Sequence, residues 1–428
     1  MQNKKTIVLI VLSIIFFGTA IFLGVLIISQ RENNQSGNQN QGEELISQEK
    51  IQDLMENAHE KFYVKGNYNE GLAKYQEAYE TAPENHQTSL ALAEAYINKS
   101  QYQYEDSVNE RAEKLIKEAL SINPESAEAH ILKGRLKAMN FQCDEAIENY
   151  ERAIEIEPNN VNAYLGKIDC MNLSENEKAI KAALEKAYEI DPANSATRLS
   201  LASNWFIPRK EFNKAEIHLR KALNKTSGKR QKAHILTVLG MIQPHIKDDR
   251  TKEEKVDEAL REYLYQAIEV DSNYALAHAH SGKLLADKMF LSGDHFKESL
   301  AVCTRAFNKA QEINPKSSTV HYLYGYTLRR LALSDIAKTQ LEASLQLVDD
   351  DSRLIKDRDR QEALLNFELA GLYNELEETD KSLDHLDRAM SYNHDNTRNR
   401  FIENLGTDFY FSGTSKSNKV SEIIERYN

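Results

Sequence analysis

The chain has 428 residues, of which 41% are hydrophobic and 28% are charged, and it contains 16 glycines, 7 prolines and 3 cysteines. This composition excludes a collagen-like chain, a small disulfide-stapled domain and a membrane protein with many spans. The 54 basic and 66 acidic side chains give a net charge of −12, and a surface of that sign repels phosphate backbones. Because the sequence also shows no local basic stripe, we expect no nucleic-acid partner.

An uncharged apolar segment lies near the start of the chain. Thr6 to Ser29 comprises 24 residues without a charge. A helix of this length reaches about 36 Å, which is enough to cross a hydrocarbon core of about 30 Å. The segment is longer than the apolar region of a signal peptide and has no small-x-small site at its end. We therefore predict an uncleaved transmembrane anchor helix at residues 6–29, with cleavage as a signal peptide as the alternative.

The residues that flank this segment predict its orientation. Lys4 and Lys5 precede it and Arg31 follows it, so the positive-inside rule places the amino terminus in the cytoplasm. Residues 1–5 are then a cytoplasmic tail. Residues 30–45 are rich in Asn, Gln and Gly and predict a flexible linker. The expected protein is a single-pass membrane protein whose main domain is extracytoplasmic, in a bacterial periplasm or cell envelope.

A repeat of 34 residues runs through the chain. The intervals from Pro124 to Pro158 and from Pro158 to Pro192 are both 34 residues. Each proline follows a helical segment, and proline ends a helix because it lacks the amide donor and disfavours helix at the preceding residue. Five prolines share this context: Pro83, Pro124, Pro158, Pro192 and Pro315.

Each repeat contains two segments with helical spacing of apolar residues. Residues 127–139 predict the first helix of one unit and residues 143–155 the second. Gly134 lies inside the first helix, where it costs about 1 kcal/mol relative to Ala, and this indicates close approach of a neighbouring helix. Ala146, Tyr150 and Ala153 form a small-large-small stripe on the second helix. Because two such helices cannot bury their apolar faces alone, the unit must stack on copies of itself.

These positions resemble the tetratricopeptide repeat (TPR) family. The family motif is matched residue by residue by Gly134, Ala146, Tyr150, Ala153 and Pro158. About nine units fit between residues 46 and 395, and residues 396–428 predict capping helices. The resemblance implies an all-α fold, a right-handed α-solenoid of about nine helix-turn-helix units preceded by one transmembrane helix.

The repeat spacing also predicts insertions. The interval from Pro192 to Pro315 is 123 residues, which is three units and about 21 extra residues. We place this extra length mainly in loops at residues 246–254 and 287–295, with a further insertion at residues 101–106. Such loops either contact a partner or are tolerated surface insertions.

The TPR resemblance implies a binding function. In this family the first helices line a concave groove that accepts an extended segment or helix of another protein. The family register places the partner-binding groove at Arg135, Asn162, Asp169, Asn172, Ser203, Phe206, Met241, Lys283, Tyr322, Tyr326 and Arg329. Helical spacing puts Tyr322, Tyr326 and Arg329 on one face, and aromatics with an arginine are good interface anchors. Packing between successive helices is the alternative role for such residues.

A carboxylate-binding subtype of the family is disfavoured. Co-chaperone members hold a terminal carboxylate with Lys, Asn and Arg, but the corresponding positions here are Glu56, Glu60, Ala91, Glu128 and Leu132. Carboxylates at these positions repel a carboxylate ligand. The leading hypothesis is a membrane-anchored scaffold or adaptor that binds a protein or peptide and helps assemble a membrane-associated complex. The alternative is a cytosol-facing targeting or chaperone-docking receptor.

The sequence contains no recognisable catalytic motif. It has no glycine-rich phosphate loop, nucleophile elbow or HExxH pattern. Cys143, Cys170 and Cys303 are far apart in sequence and are interpreted as packing residues. His278 and His280 point to different helix faces, which argues against a shared metal. We therefore expect no enzymatic activity, no cofactor, no metal and no small-molecule substrate.

Overall fold

The computed structural model describes residues 40–103, 109–292, 296–351, 358–392, 398–399, 401–403, 405 and 418–427. These residues form α-helices joined by short turns, and there is no strand among them. The chain divides into two compact units, Met1–Asp53 and Leu54–Asn428. Within the first unit, residues 40–53 are helical.

The 20 α-helices follow one another without any intervening sheet in the described part of the chain. They are α1 Asn40–His59, α2 Tyr68–Thr81, α3 His86–Gln103, α4 Asn109–Ile122, α5 Ala127–Met139, α6 Cys143–Ile156, α7 Val161–Asp169, α8 Leu173–Ile190, α9 Ser195–Leu201, α10 Phe212–Leu223, α11 Lys229–Ile242, α12 Lys252–Glu258, α13 Tyr265–Val270, α14 Ala275–Ser292, α15 Phe296–Ile313, α16 Ser318–Arg330, α17 Ser334–Gln346, α18 Arg358–Glu375, α19 Thr379–Ser391 and α20 Asn418–Tyr427. Short π-helical turns lie at Glu60–Val64, Ala202–Phe206 and Ala259–Leu264, and a 3-10 turn lies at Gln243–His245.

Consecutive helices pack in pairs from α3 with α4 to α18 with α19. Each pair is one repeat unit, and in one unit the second helix is divided into α12, a π-helical turn and α13. First helices also pack on the first helices of neighbouring units, as α3 does on α5, α5 on α7, α14 on α16 and α16 on α18. The first helices are thus in contact with one another from α3 to α9 and again from α11 to α18. This arrangement confirms the predicted all-α solenoid, while its handedness stays a prediction.

The packing around Tyr150 shows why the repeat needs small residues. Tyr150 is fully buried, and a Cβ added at Gly134 would lie 2.8 Å from its ring. A Cβ at Gly166, on the first helix of the next unit, would clash with the same ring. Ala146 and Ala153 are also buried beside it. One large side chain thus fills the space between two units because its neighbours lack side-chain bulk.

The three predicted insertions are partly helical in the structure. Residues 287–292 belong to α14 rather than to a loop, so Asp287 has a fixed position on a helix. In the insertion predicted at residues 246–254, residues 246–251 form a loop and 252–254 begin α12, which starts at a capping box in which the Thr251 hydroxyl accepts from the Glu254 amide and the Glu254 carboxylate accepts from the Thr251 amide. This device satisfies two backbone donors at a helix start. Residues 101–103 complete α3.

The membrane prediction is contradicted. Within the described residues, no helix has both the length and the apolar character required to cross a membrane. The segment predicted to do so, Thr6 to Ser29, lies outside the described residues. We therefore withdraw the single-pass membrane localisation and its extracytoplasmic placement. The structure also begins α1 at Asn40, inside the predicted linker of residues 30–45.

Candidate binding surface on the first helices

Two repeat units that are not neighbours come into contact within residues 54–428. Arg230, on α11, donates a hydrogen bond to the backbone carbonyl of Tyr102, which lies 128 residues earlier on α3. The neighbouring Lys229 packs beside Gly66, where the backbone has a positive φ of 71°. The end of one first helix thus meets the start of another first helix that belongs to a much later repeat unit. We call the inward surface of the first helices the inner face.

Arg230 is the residue that closes this turn. Its guanidinium donates to the carbonyls of Tyr102 and Asn273, each at 3.0 Å, and its Nε lies 3.0 Å from the Asp271 carboxylate. The side chain of Arg230 is only 7% exposed. The cation also lies 5 to 6 Å from the ring centroids of Tyr68, Tyr102 and Tyr274. The closed turn thus depends on a buried, charge-paired arginine surrounded by aromatic rings.

A polar network occupies the inner face near the start of this turn. Arg135 donates to the Asn98 side-chain oxygen at 2.7 Å and to the Glu94 carboxylate at 3.3 Å. Asn98 in turn donates to the Tyr63 hydroxyl at 2.7 Å. Burial, and then the charge of Glu94, raise the pKa of Tyr63. Arg135, which was predicted as a groove residue, therefore hydrogen-bonds to α3 of the preceding unit.

Glu128 is an unusual carboxylate on α5. Its side chain is solvent-exposed, yet desolvation, followed by the charges of Glu94 and Glu157, raises its pKa to about 7. Because water reaches the Glu128 carboxylate, it screens this charge and reduces its effect on stability.

A second cluster lies on α14 and α16. The rings of Tyr322 and Tyr326 are 6.0 Å apart between centroids. The Arg330 guanidinium lies 5.8 Å from the Tyr326 ring and 5.0 Å from the Phe290 ring. Phe290 is 50% exposed, a high value for a large apolar side chain. We call Phe290, Tyr322, Tyr326 and Arg330 the aromatic–arginine cluster.

Asp287 holds the two cations beside this cluster. Its carboxylate pairs with Lys283 at 2.8 Å and also accepts from Arg330. Burial opposes ionisation of Asp287, but Lys283 and Arg330 together lower its pKa. Two cations and one carboxylate leave one net positive charge at this part of the inner face. Lys283 was predicted as a groove residue, whereas Asp287 and Arg330 were not.

Arg329 does not belong to an open surface. It is 3% exposed, and it pairs with Glu368 at 2.6 Å and with Glu375 at 2.8 Å. Its guanidinium packs directly over Gly371, where a Cβ would clash with it. The prediction that Arg329 contacts a partner is therefore corrected: it joins α16 to α18. Tyr322, Tyr326 and Arg330 are spaced four residues apart and so share one helix face. This spacing could have identified Arg330, and not Arg329, as the arginine beside the two tyrosines.

The remaining predicted groove residues are spread along the inner layer instead of meeting at one point. Met241 is 41% exposed near the end of α11. Asn162 and Asp169 are exposed at the two ends of α7. Asn172 follows α7 and its carbonyl accepts from the Asn176 amide.

Ser203 and Phe206 belong to the π-helical turn after α9, and both are half-buried. The Phe206 ring lies 5.1 Å from His218 and 5.8 Å from the Lys214 ammonium, measured to ring centroids. Phe206 therefore packs mainly on the second helix of its own unit, α10.

Comparisons with known proteins identify the class to which this architecture belongs. A TPR repeat family model matches residues 142–167, which span α6 and most of α7. The helix pairing and this match define a TPR-type α-solenoid. A search of curated proteins found no match.

Solved structures of human IFIT1 share the fold. The IFIT1 dimer with m7Gppp-AAAA superposes with a TM-score of 0.53 and 17% identity over 88% of this chain and 89% of that chain. The dimer with PPP-AAAA gives a TM-score of 0.53 and 18% identity over 86% and 88%. At this identity the likeness concerns the fold.

This likeness overturns one prediction. The net charge of −12 predicted no nucleic-acid partner, but one of the similar IFIT1 structures contains the capped RNA m7Gppp-AAAA. The charge of a whole chain does not describe the lining of one groove, and Lys283, Arg330 and Asp287 together carry one positive charge beside the aromatic–arginine cluster. The exclusion of nucleic acid was therefore wrong.

Proposed function

We propose that this chain is a TPR-type binding module that holds an extended segment of a protein partner along its inner face, as an adaptor or scaffold and without chemical turnover. The aromatic–arginine cluster is the observation that carries this proposal. TPR repeats generally mediate protein–protein contacts, and the cluster supplies the side chains that dominate such interfaces.

The geometry favours binding with little loss of entropy. Tyr322 and Tyr326 are on one helix, and Arg330 is held by Asp287 and by two rings. Side chains that are already ordered cost less when a partner is bound. Phe290 offers apolar surface, and the single net positive charge complements a carboxylate. The fitting segment therefore presents an apolar or aromatic side chain next to an acidic one.

Site-specific photocrosslinking tests this proposal. A photoreactive phenylalanine analogue replaces Tyr326 in one variant, and in a control variant it replaces Ile336, which is 51% exposed on the second helix of the same unit. We expect a protein adduct at position 326 and none at 336. The adduct should be lost when Tyr322→Ala and Arg330→Gln are added, with an unchanged circular dichroism spectrum.

Enzymatic digestion of the adduct identifies the class of partner. A protease-sensitive, nuclease-resistant adduct supports the proposal, and sequencing of the bound peptide tests for the acidic and apolar side chains. A nuclease-sensitive adduct would contradict the proposal and show that the bound partner is a nucleic acid. Equal crosslinking at positions 326 and 336 would show that the inner face is not the binding surface.

A further inference from the structure

Two cysteines that are distant in sequence come together at the junction between two units. Cys143 is the first residue of α6, and Cys170 directly follows α7. These two helices pack against each other, and Cys170 is the largest influence on the Cys143 thiol, whose pKa it lowers. Both residues are partly accessible to solvent. Cys170 packs against a buried cluster, as the sequence predicted for the cysteines, and this pair also brings two thiols to one junction.

Both cysteines lie close to the buried Tyr150 in the fold. Cys143, Ala146 and Tyr150 follow the i, i+3, i+7 spacing of one helix face. Cys170 packs against the buried cluster that contains Ala146 and Tyr150. The packing of α6 against α7 and the contact of Cys170 with the Tyr150 cluster thus place both cysteines at the same junction.

The two thiols differ in their chemistry from the third cysteine. Cys143 lies in the first turn of α6, where free amide groups and the helix dipole favour a thiolate. The neighbouring Cys170 lowers the pKa of Cys143, against burial and the charge of Asp144. Cys303 is buried, its thiol donates to the Gly282 carbonyl at 3.1 Å, and burial raises its pKa to about 12.

We propose that Cys143 and Cys170 are a redox modification site that forms a reversible disulfide within the chain. The oxidant is a low-molecular-weight disulfide such as oxidised glutathione. The Cys143 thiolate attacks one of its sulfurs, so that the S–S bond of the oxidant breaks and one glutathione thiolate leaves. The Cys170 thiolate then attacks the Cys143 sulfur and displaces the second glutathione. Two cysteine thiols lose two protons and two electrons, and one glutathione disulfide becomes two thiols.

The disulfide would link the end of one first helix to the second helix of the preceding unit. Asp169 precedes Cys170 directly and Asn172 follows two residues later, and both were predicted on the inner face. Oxidation would therefore fix the spacing of two consecutive units at this part of the surface. The proposal is independent of the identity of any partner.

The test uses the full chain in glutathione buffers of increasing oxidised fraction. Acid quenching, alkylation of the free thiols under denaturing conditions and peptide mapping then identify the state of each cysteine. We expect a linked peptide pair containing Cys143 and Cys170, with two hydrogens lost, while Cys303 stays alkylated. Cys170→Ser should accumulate a mixed disulfide at Cys143, at a rate at least about tenfold above any modification of Cys303. Added dithiothreitol should restore the free thiols.

Two outcomes would overturn the proposal. One is that Cys143 and Cys170 both remain alkylated in the most oxidising buffer. The other is that the wild-type chain accumulates the mixed disulfide at Cys143 as fully as Cys170→Ser does, which would mean that Cys170 does not resolve it. As a control, the circular dichroism spectrum of Cys170→Ser should match that of the wild type, which shows that the variant is folded.

Discussion

Two buried arginines on the first helices have different roles in the solenoid. Arg230 is 7% exposed and Arg329 is 3% exposed, and both pair with carboxylates. Arg329 contacts residues 39 and 46 positions away, which lie in the next unit. Arg230 contacts a carbonyl 128 residues away. Arg329 therefore belongs to the interface between neighbouring units. Arg230 also makes a contact between units that are not neighbours.

The difference teaches how such an array acquires a fixed curvature. Stability in repeat proteins is approximately a sum of unit and nearest-neighbour terms, and Arg329 contributes to one of those terms. The contact between Arg230 and Tyr102 adds a closure between units that are not neighbours. We infer that the region between α3 and α11 is held at one curvature, which sets the geometry of its inner face.

Replacement of Arg230 is expected to have the largest effect. In Arg230→Met the Asp271 carboxylate stays buried without its cation, and breaking a buried pair costs about 3–5 kcal/mol. The closing contact to Tyr102 is also lost. We expect a lower free energy of unfolding in urea and a larger radius of gyration by small-angle X-ray scattering. The double variant with Asp271→Asn should recover part of the stability but not the radius, and an unchanged radius in both would contradict the closure.

Replacement of Arg329 should destabilise the protein locally. Arg329→Met leaves Glu368 and Glu375 without their cation, but these carboxylates keep partial contact with water, so we expect a loss of about 2–3 kcal/mol. Hydrogen exchange should speed up in α18 and α19, while the radius of gyration stays the same. Faster exchange in α3 or α11 would argue against nearest-neighbour behaviour of this contact.

The pH dependence of stability tests the surroundings of Arg230. The Nδ1 atom of His234 lies 2.6 Å from the Tyr274 hydroxyl. Burial, and then the charge of Arg230, lower the pKa of His234 to about 4. Because the unfolded chain binds this proton near pH 6.5 and the folded chain does not, stability should fall as the pH drops from 6.5 towards 4.

His234→Gln should remove about 1–2 kcal/mol of this acid destabilisation. The measurement is urea denaturation of both proteins at pH 7.5 and pH 4.5. His280, whose pKa burial also lowers to about 3, is present in both proteins and cancels in the comparison. Equal losses in the two proteins would show that His234 is not the titrating group.

The repeat architecture was predictable because its determinants are local. Pro158 ends one unit, and Tyr150 requires Gly134 on its own unit and Gly166 on the next. Such contacts join neighbours in a fixed register, so a single sequence period encodes them. The pairing of Cys143 with Cys170 follows the same local geometry.

Other features were not predictable from the period. The contact of Arg230 with Tyr102 depends on curvature that accumulates over several units. Arg329 and Arg330 are adjacent in sequence, but one residue turns a helix by about 100°, so one arginine is buried and the other meets the Tyr326 ring. The net charge likewise describes the whole chain and not the lining of its inner face.

An exposed ion pair within one repeat unit should have the smallest effect and serves as a reference for the two buried arginines. One guanidinium nitrogen of Arg152 donates to both oxygens of Glu125 at 2.6 and 2.7 Å, distances as short as those of the buried Arg329 pairs, and the other donates to Glu155 at 2.9 Å. Its side chain is 42% exposed and that of Glu125 is 65% exposed. Because water screens both charges and solvates either partner alone, Arg152→Gln should change the free energy of unfolding by less than about 0.5 kcal/mol. A loss above about 1 kcal/mol would mean that geometry, and not burial, sets the stability contributed by these arginines.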